Sequence, residues 1–446
     1  MSSLTARWHR SIQEIPEQHW QALVSDHAIP FYRWSWLEAL ESSGSIIPEQ
    51  GWQPLHLALW RKDVPIAVAP LYLKGHSYGE FVFDQTFARL AGDLGLRYYP
   101  KLLGMSPVSP VLGYRFHVLP GEDEAELTAV LLRAIDAFCE HNSILSCNFL
   151  YVDPQWRPLA EAAGCATWLN QQSLWSRGDD QSFDDYLNGF NANQRRNIKR
   201  ERKAVAKAGL TVTPLTGEQL DLELFQIMHG FYEQHCARWG PWGSKYLEQG
   251  FFEALAGLHR EQVVLFSAHR GDPREPVAMS MCVRDDHHLW GRYWGSEEEI
   301  DCLHFEVCYY APIEWAISQG IDSFDPGAGG SHKRRRGFVA RPHASLHRWY
   351  QPQMDGLIRA WLPEAGTNDH QIRIFQVMPS PNPLLVIRIN VLTGLIQGKQ
   401  NLAFKPMFLR KNFGEHGHAF LGAVFFVTGN QHNGLPFTGF VISGKV

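Results

Sequence analysis

The sequence predicts a mixed α/β fold made of two similar halves and a divergent tail. Three observations carry this expectation. Short apolar runs of strand length alternate with longer stretches of helical period, the same order of elements recurs after a polar stretch around Ser176 to Gln181, and the pattern stops near Thr367. In the first half, Leu55 to Trp60 and Ile66 to Tyr72 read as strands, and Glu124 to Glu140 as an amphipathic helix. The second half reads as a helix near Leu222 to Trp239, then strands at Val263 to His269, Pro276 to Val283 and Leu289 to Gly295. Trp36, Trp52, Trp60, Trp290 and Trp294 lie in or beside these elements, where aromatic rings belong to the core or its rim.

A further helix is expected from about Phe305 to Gln319, because Phe305, Tyr309, Ile313 and Ile317 recur at helical spacing and Gly320 stands at a natural stop. Pro312 should bend or break it, since proline supplies no N–H and crowds the preceding turn. A strand, IDSFDP, follows and delivers the chain into FDPGAGGSHKRRRGF, Phe324 to Phe338. There, Gly327, Gly329 and Gly330 can take positive φ and let backbone N–H groups converge, while Lys333 and Arg336 supply charge, so the loop reads as an anion cradle. It is not a nucleotide P-loop, which needs glycine directly before the lysine and Ser or Thr directly after it. The order of elements places Arg292, Tyr293, Glu306, Asp325 and His332 near one cleft.

With 446 residues, 45% of them hydrophobic and 20% charged, the chain is long enough for two or three domains with their own cores. Its net charge of −5 excludes a generally basic nucleic-acid binder and leaves room for a local basic face. One such face is the helix expected over Asn191 to Gly209, where Arg195, Arg196, Lys199, Arg200 and Lys203 crowd around a single acid, Glu201, with Ile198 and Val205 turned inward. Phosphate-rich partners such as tRNA match that density, and so does a solvated helix surface. The seven cysteines form no CxxC pair and fit buried, reduced thiols. No stretch has the apolar core of a secretory signal or the roughly 20 apolar residues of a membrane span, and the expected location is the cytoplasm. Ala419 to Val427 comes nearest, at about half the needed length.

His343 and His347 are four apart, but Pro342 and the alternation in SLHRWY put them on a strand. No HExxH, Cys/His quartet, GxSxG elbow or GxGxxG fingerprint occurs, and no metal or tightly bound cofactor is expected.

Six segments together resemble a family of bacterial proteins, the FemAB-like, peptidoglycan-related members of the GNAT acyltransferase superfamily. They are APLYLKGHSYGEFVFD (Ala69 to Asp84), YYPKLL (Tyr98 to Leu103), NQRRNIKRERK (Asn193 to Lys203), GRYWG (Gly291 to Gly295), LHFEVCYY (Leu303 to Tyr310) and the glycine-rich loop through SLHRWY. The resemblance covers about residues 5 to 365. It implies two tandem GNAT-like domains, at 5–170 and 171–366, with mixed central sheets flanked by helices. The tail, 367–446, falls outside it and reads as an unrelated or foreign addition without a role.

The chemistry implied by the resemblance is attack of an amine on an acyl group carried by coenzyme A or tRNA, with a cell-envelope precursor or similar small molecule as acceptor. An alkylammonium must first lose a proton, for which Glu306, Asp325 and His332 are candidate bases, while Tyr293 or Tyr310 can protonate the leaving group. Lys333 and the loop amides suit the developing oxyanion, with Arg292 and Arg336 beside them. Lys74, His76, Tyr78 and Asp84 form a polar cluster that lines the cleft from the first half. After GRYWG the chain continues SEEEIDCLHFE, and these acids repel the pyrophosphate of an acyl-CoA donor. Two other readings stay open: a non-catalytic tRNA- or ligand-binding module on the same fold, and a metal hydrolase.

Overall fold

The computed structural model describes residues 4–24, 29–238 and 245–365, together with three strands of the tail. The chain divides into two units, Met1–Asn368 and Asp369–Val446.

In the first half, β1 (Leu4–His9), β2 (Trp52–Pro54), β3 (His56–Arg61), β4 (Val64–Ala69) and β5 (Tyr72–Lys74) lead to β6 (Lys101–Gly104) and the short β7 (His117–Val118). Helix α1 (Glu124–His141) then crosses to β8 (Ser146–Phe149), which lies parallel to β6, and β9 (Ala166–Ser176) follows. Asp123 caps α1 by accepting from the Glu126 N–H, and acids fill its first turn, which explains why this helix begins where it does.

The second half repeats the plan. Helices α2 (Phe183–Asn188), α3 (Ala192–Lys207) and α4 (Leu222–Ala237) surround an antiparallel meander of β10 (Thr211–Thr216), β11 (Val263–His269), β12 (Pro276–Arg284) and β13 (His288–Ser296). A helix α5 (303–318) crosses from β13 to β14 (Ser323–Asp325), parallel to it, and β15 (Val339–Trp349) follows. The expected ends of these elements hold to within a few residues; Trp239, the expected end of α4, lies outside the described residues.

The halves are joined by exchange of their last strands. In the eleven-stranded sheet the order is β10-β11-β12-β13-β14-β9-β15-β8-β6-β5-β2. Strand β9 therefore pairs with β14 of the second half, and β15 returns to pair with β8 of the first. The boundary expected between residues 170 and 171 falls within β9, which spans the seam. Apolar packing continues across it, with Phe31 edge-on to Trp290 at 5.5 Å and Trp36 edge-on to Phe251 at 5.2 Å. A second sheet, β1-β3-β4-β7, packs in the first half.

Pro312 neither breaks nor ends α5. Leu303–Phe305, a π-helical turn Glu306–Tyr310 and Ala311–Ser318 run on as one helix. The wider turn, in which the Ala311 N–H reaches the Glu306 carbonyl, takes up the register change that an interior proline imposes. The seven cysteines are free thiols, five of them buried. No helix among the described residues is long and apolar enough to cross a membrane.

In the tail, β16 (Ala403–Leu409), β17 (Leu421–Thr428) and β18 (Gly439–Lys445) form an antiparallel sheet. The rest of 366–446, including the PSPNP segment, lies outside the described residues.

Candidate active site

Pleating sends Arg292 and Tyr293 of β13 to opposite faces. Arg292 turns to β14, where its Nη2 lies 3.1 Å from Asp325 Oδ2. The same oxygen accepts from Gln172 Nε2 at 2.6 Å, and Asp325 Oδ1 accepts from the Gly327 N–H at 2.8 Å. Gln172 sits on β9 and also donates to the Pro110 carbonyl at 3.3 Å, so a strand exchanged between the halves completes the site. Burial raises the Asp325 pKa, with Arg292 opposing the shift.

Gly327, Gly329 and Gly330 take φ of 83°, 70° and 87°, as an anion cradle requires. Lys333, however, is buried, and its Nζ donates to the Gly327 and Ala328 carbonyls at 2.7 and 3.1 Å. It braces the loop from inside. Burial also brings its pKa down to about 8, with Asp325 pulling the other way.

Across the seam lies a second buried charge cluster. Lys101, on β6, donates to Glu80 Oε2 at 2.6 Å, to Ser77 Oγ at 2.9 Å and to Asp84, which also accepts from Tyr98 OH at 2.7 Å. Burial raises Glu80 to about 7 in spite of Lys101. Burial acts on Asp84 in the same sense, but Lys101, Tyr98 and Ser77 outweigh it and hold the carboxyl low. Lys74 is fully buried, its Nζ 3.6 Å from the Trp52 ring centre and 3.2 Å from the Tyr78 carbonyl, and burial lowers its pKa to about 7. Glu80 Oε1 has no hydrogen-bond partner among the described residues. His76, bonded to the Gln50 carbonyl at 3.0 Å, and the exposed Tyr78 lie on the solvent side of this cluster.

Tyr151 lies between the two clusters, since its hydroxyl senses Asp325, Arg292 and Glu80, and its ring stacks on His343 at 4.9 Å. Its φ of 53°, with 49° at Val108 and 56° at Phe81, concentrates left-handed non-glycine backbone around the seam. Such conformations persist where surrounding packing enforces them, often at functional sites.

The expectation that Arg292, Tyr293, Glu306, Asp325 and His332 share one cleft is corrected: only Arg292 and Asp325 meet. Tyr293 packs against Tyr232 at 5.2 Å and Phe252 at 5.9 Å. Glu306 accepts from Arg202 Nε at 3.1 Å on both carboxylate oxygens. Tyr310 donates to Glu201, which also accepts from Arg336 Nη2 at 2.8 Å; the Arg336 guanidinium covers the Phe305 ring at 3.3 Å. His332 pairs with Tyr309 OH at 2.9 Å, and burial with Arg336 and Lys333 nearby lowers its pKa. The cause is the facing of α5, which turns Glu306 and Tyr310 toward α3 and away from β14.

Along α3, Arg195 is tied to the Phe190 carbonyl at 2.7 Å, whereas Arg196, Lys199, Arg200 and Lys203 are exposed and form no ion pair with a described residue. Beside α3 lies a groove of about 960 Å³. A smaller hollow of about 410 Å³ opens where β13 meets α5, lined by Trp294, His304 and Phe305 and by the acids Glu298, Glu299 and Asp301. The acids after GRYWG thus border a cavity, where Glu298 is paired with Arg270 and Arg238 is a further cation of the lining.

Sequence reasoning passed over Gln172, Glu80, Lys101, Tyr151 and Glu201. Glu80 and Lys101 stand inside the quoted segments GEFVFD and YYPKLL, which was the available signal; Gln172 and Tyr151 carried none.

The family model described as FemAB-like, peptidoglycan biosynthesis/recognition, matches residues 11–379 and so includes both clusters. The chain belongs to the FemAB-like family. No functionally curated protein matches it. Among solved structures, this FemAB-like chain is similar to FemX, at 11% identity and a TM-score of 0.44, covering 77% of this chain and 98% of that one. It is also similar to the C-terminal domain (DUF2156) of a putative lysylphosphatidylglycerol synthetase from Agrobacterium fabrum, at 9% identity and a TM-score of 0.46, covering 78% and 96%. A tandem GNAT protein from the clavulanic acid biosynthesis pathway matches at 9% identity and a TM-score of 0.40, covering 78% and 99%.

Proposed function

We propose that this FemAB-like protein transfers an activated acyl or aminoacyl group to an amine, with a peptidoglycan-type precursor as acceptor. The observation that carries the reading is a pair of buried carboxylates with raised pKa, Asp325 and Glu80, one from each half, both sensed by Tyr151. An ammonium acceptor near pKa 10 must lose a proton before attack, and a carboxylate whose proton affinity burial has raised is better suited to take it. In this reading Asp325 is the base, positioned by Arg292 and Gln172. The loop amides at Gly329 and Gly330 face the developing oxyanion, and Lys333 holds their backbone in place.

The donor is an acyl group on tRNA or coenzyme A, used as a substrate. Its carrier's phosphates meet exposed cations without ion-pair partners among the described residues, Arg334 and Arg335 after the loop and Arg196 and Arg200 on α3. The number of these cations favours tRNA, with its many phosphates, over coenzyme A. The same cations also suit the second reading, a binding module without turnover, and the cytoplasm is the compartment that supplies either donor.

Incubation with labelled aminoacyl-tRNA or acyl-CoA and amine acceptors tests the reading. Labelled amide product is expected from at least one donor; retention of donor without product favours the binding module, and indifference to both donors at low salt removes the proposal.

A further inference from the structure

The groove beside α3 combines two chemistries that the transferase reading does not use. Its floor is aliphatic, formed by Leu187, Val205, Leu210, Val212, Pro214 and Ala311, and Lys199 and Lys203 also line it. Neither lysine pairs with a carboxylate of a described residue. The acids Glu306 and Glu314 are engaged by Arg202, which leaves Asp184 as the remaining acid in the lining. Lys199, Lys203 and Ala206 recur at helical spacing, so one stripe of α3 carries both charge and groove wall.

The two aromatic residues of the lining each have a partner within the fold. Arg202 lies over the Phe183 ring at 4.4 Å, and Trp315 meets Phe266 edge-on at 6.0 Å with Arg284 also 6.0 Å from its ring. Stacked nucleobases need open aromatic faces. A hydrocarbon chain needs only apolar surface to leave water. We propose that this groove binds an anionic amphiphile, its chain on the aliphatic floor and its phosphate head on Lys199 and Lys203. Such a site would hold the protein at the surface of an anionic bilayer. The proposal does not depend on turnover and is tested without a donor.

Calorimetric titration with dodecyl phosphate below its micelle concentration is the test, with inorganic phosphate, dodecyl maltoside and a short oligouridylate as comparisons. Dodecyl phosphate is expected to bind at least about tenfold more tightly than phosphate or maltoside. The double variant Lys199→Glu and Lys203→Glu, and separately Ala206→Trp in the groove wall, should each weaken it by about tenfold or more while circular dichroism stays unchanged. The proposal is overturned if dodecyl phosphate fails to bind, if either comparison head or chain binds as well, if both variants bind normally, or if oligouridylate binds and displaces it.

Discussion

Arg292 and Asp325 form a buried ion pair, 3.1 Å apart with side chains 2% and 4% exposed, that ties β13 to β14 beside the exchanged strand β9. A buried pair contributes little relative to an apolar pair of the same volume, but loss of one partner strands the other charge. Arg292→Ala should therefore cost about 3 to 5 kcal/mol of unfolding free energy. The double variant Arg292→Met with Asp325→Leu should recover most of that loss. Denaturant titration of wild type, Arg292→Ala and the double variant measures it; equal losses in the single and double variants would show that the pair does not govern stability here.

Lys101 has three acceptors in the first-half cluster, two of them carboxylates. Lys101→Met should destabilise by at least about 3 kcal/mol, and adding Asp84→Asn should relieve part of the damage by removing a stranded charge. A melting series at pH 7 decides between this outcome and simple additivity.

Lys74 gives a pH signature. Its folded pKa of about 7 lies below the 10.5 of a free lysine, so between these values the unfolded chain binds more protons and stability rises with pH. Glu80 works oppositely: from 4.5 to about 7 the folded chain binds more protons, and its contribution falls as pH rises. Lys74→Met should thus stabilise most below pH 7, on the order of a few kcal/mol, with the gain shrinking toward pH 10.5. A gain that is flat across this range in equilibrium unfolding would contradict the assignment.

Gly295 closes the GRYWG segment because α4 leaves no room for a side chain. A Cβ there would lie 2.1 Å from the Phe231 carbonyl oxygen, a backbone atom that cannot rotate away. Gly295→Ala should cost upwards of about 2 kcal/mol, read as a lowered melting temperature. An unchanged melting temperature would mean that α4 packs less closely than it does here.

Much of the fold was legible in the sequence. The strands at Val263 and Pro276 declared themselves as short apolar runs and the basic helix through its period, and Ile198 and Val205 are buried as their spacing implied. The strand exchange was not legible, because β9 and β15 each alternate in the same way whichever neighbour they pair with. At the loop, the sequence anticipated the positive φ of Gly327, Gly329 and Gly330. It could not show that Lys333 and Arg336 turn inward onto carbonyls and Glu201, because a run of cations looks the same whether solvated or internally paired. Nor could it orient α5: the π-helical turn at Glu306–Tyr310 shifts side-chain facing by an amount that a simple helical wheel does not contain.

The most direct test of the central claim is single-turnover amide formation by Asp325→Asn against wild type, using whichever donor supports the wild-type reaction. Asparagine keeps the shape and an acceptor for Arg292, but the ion pair is lost with the charge, so circular dichroism must first show an intact fold. The account predicts a fall of at least about a hundredfold in rate at neutral pH, with donor binding retained. Product formation within a few-fold of wild type would contradict it and would place the base elsewhere.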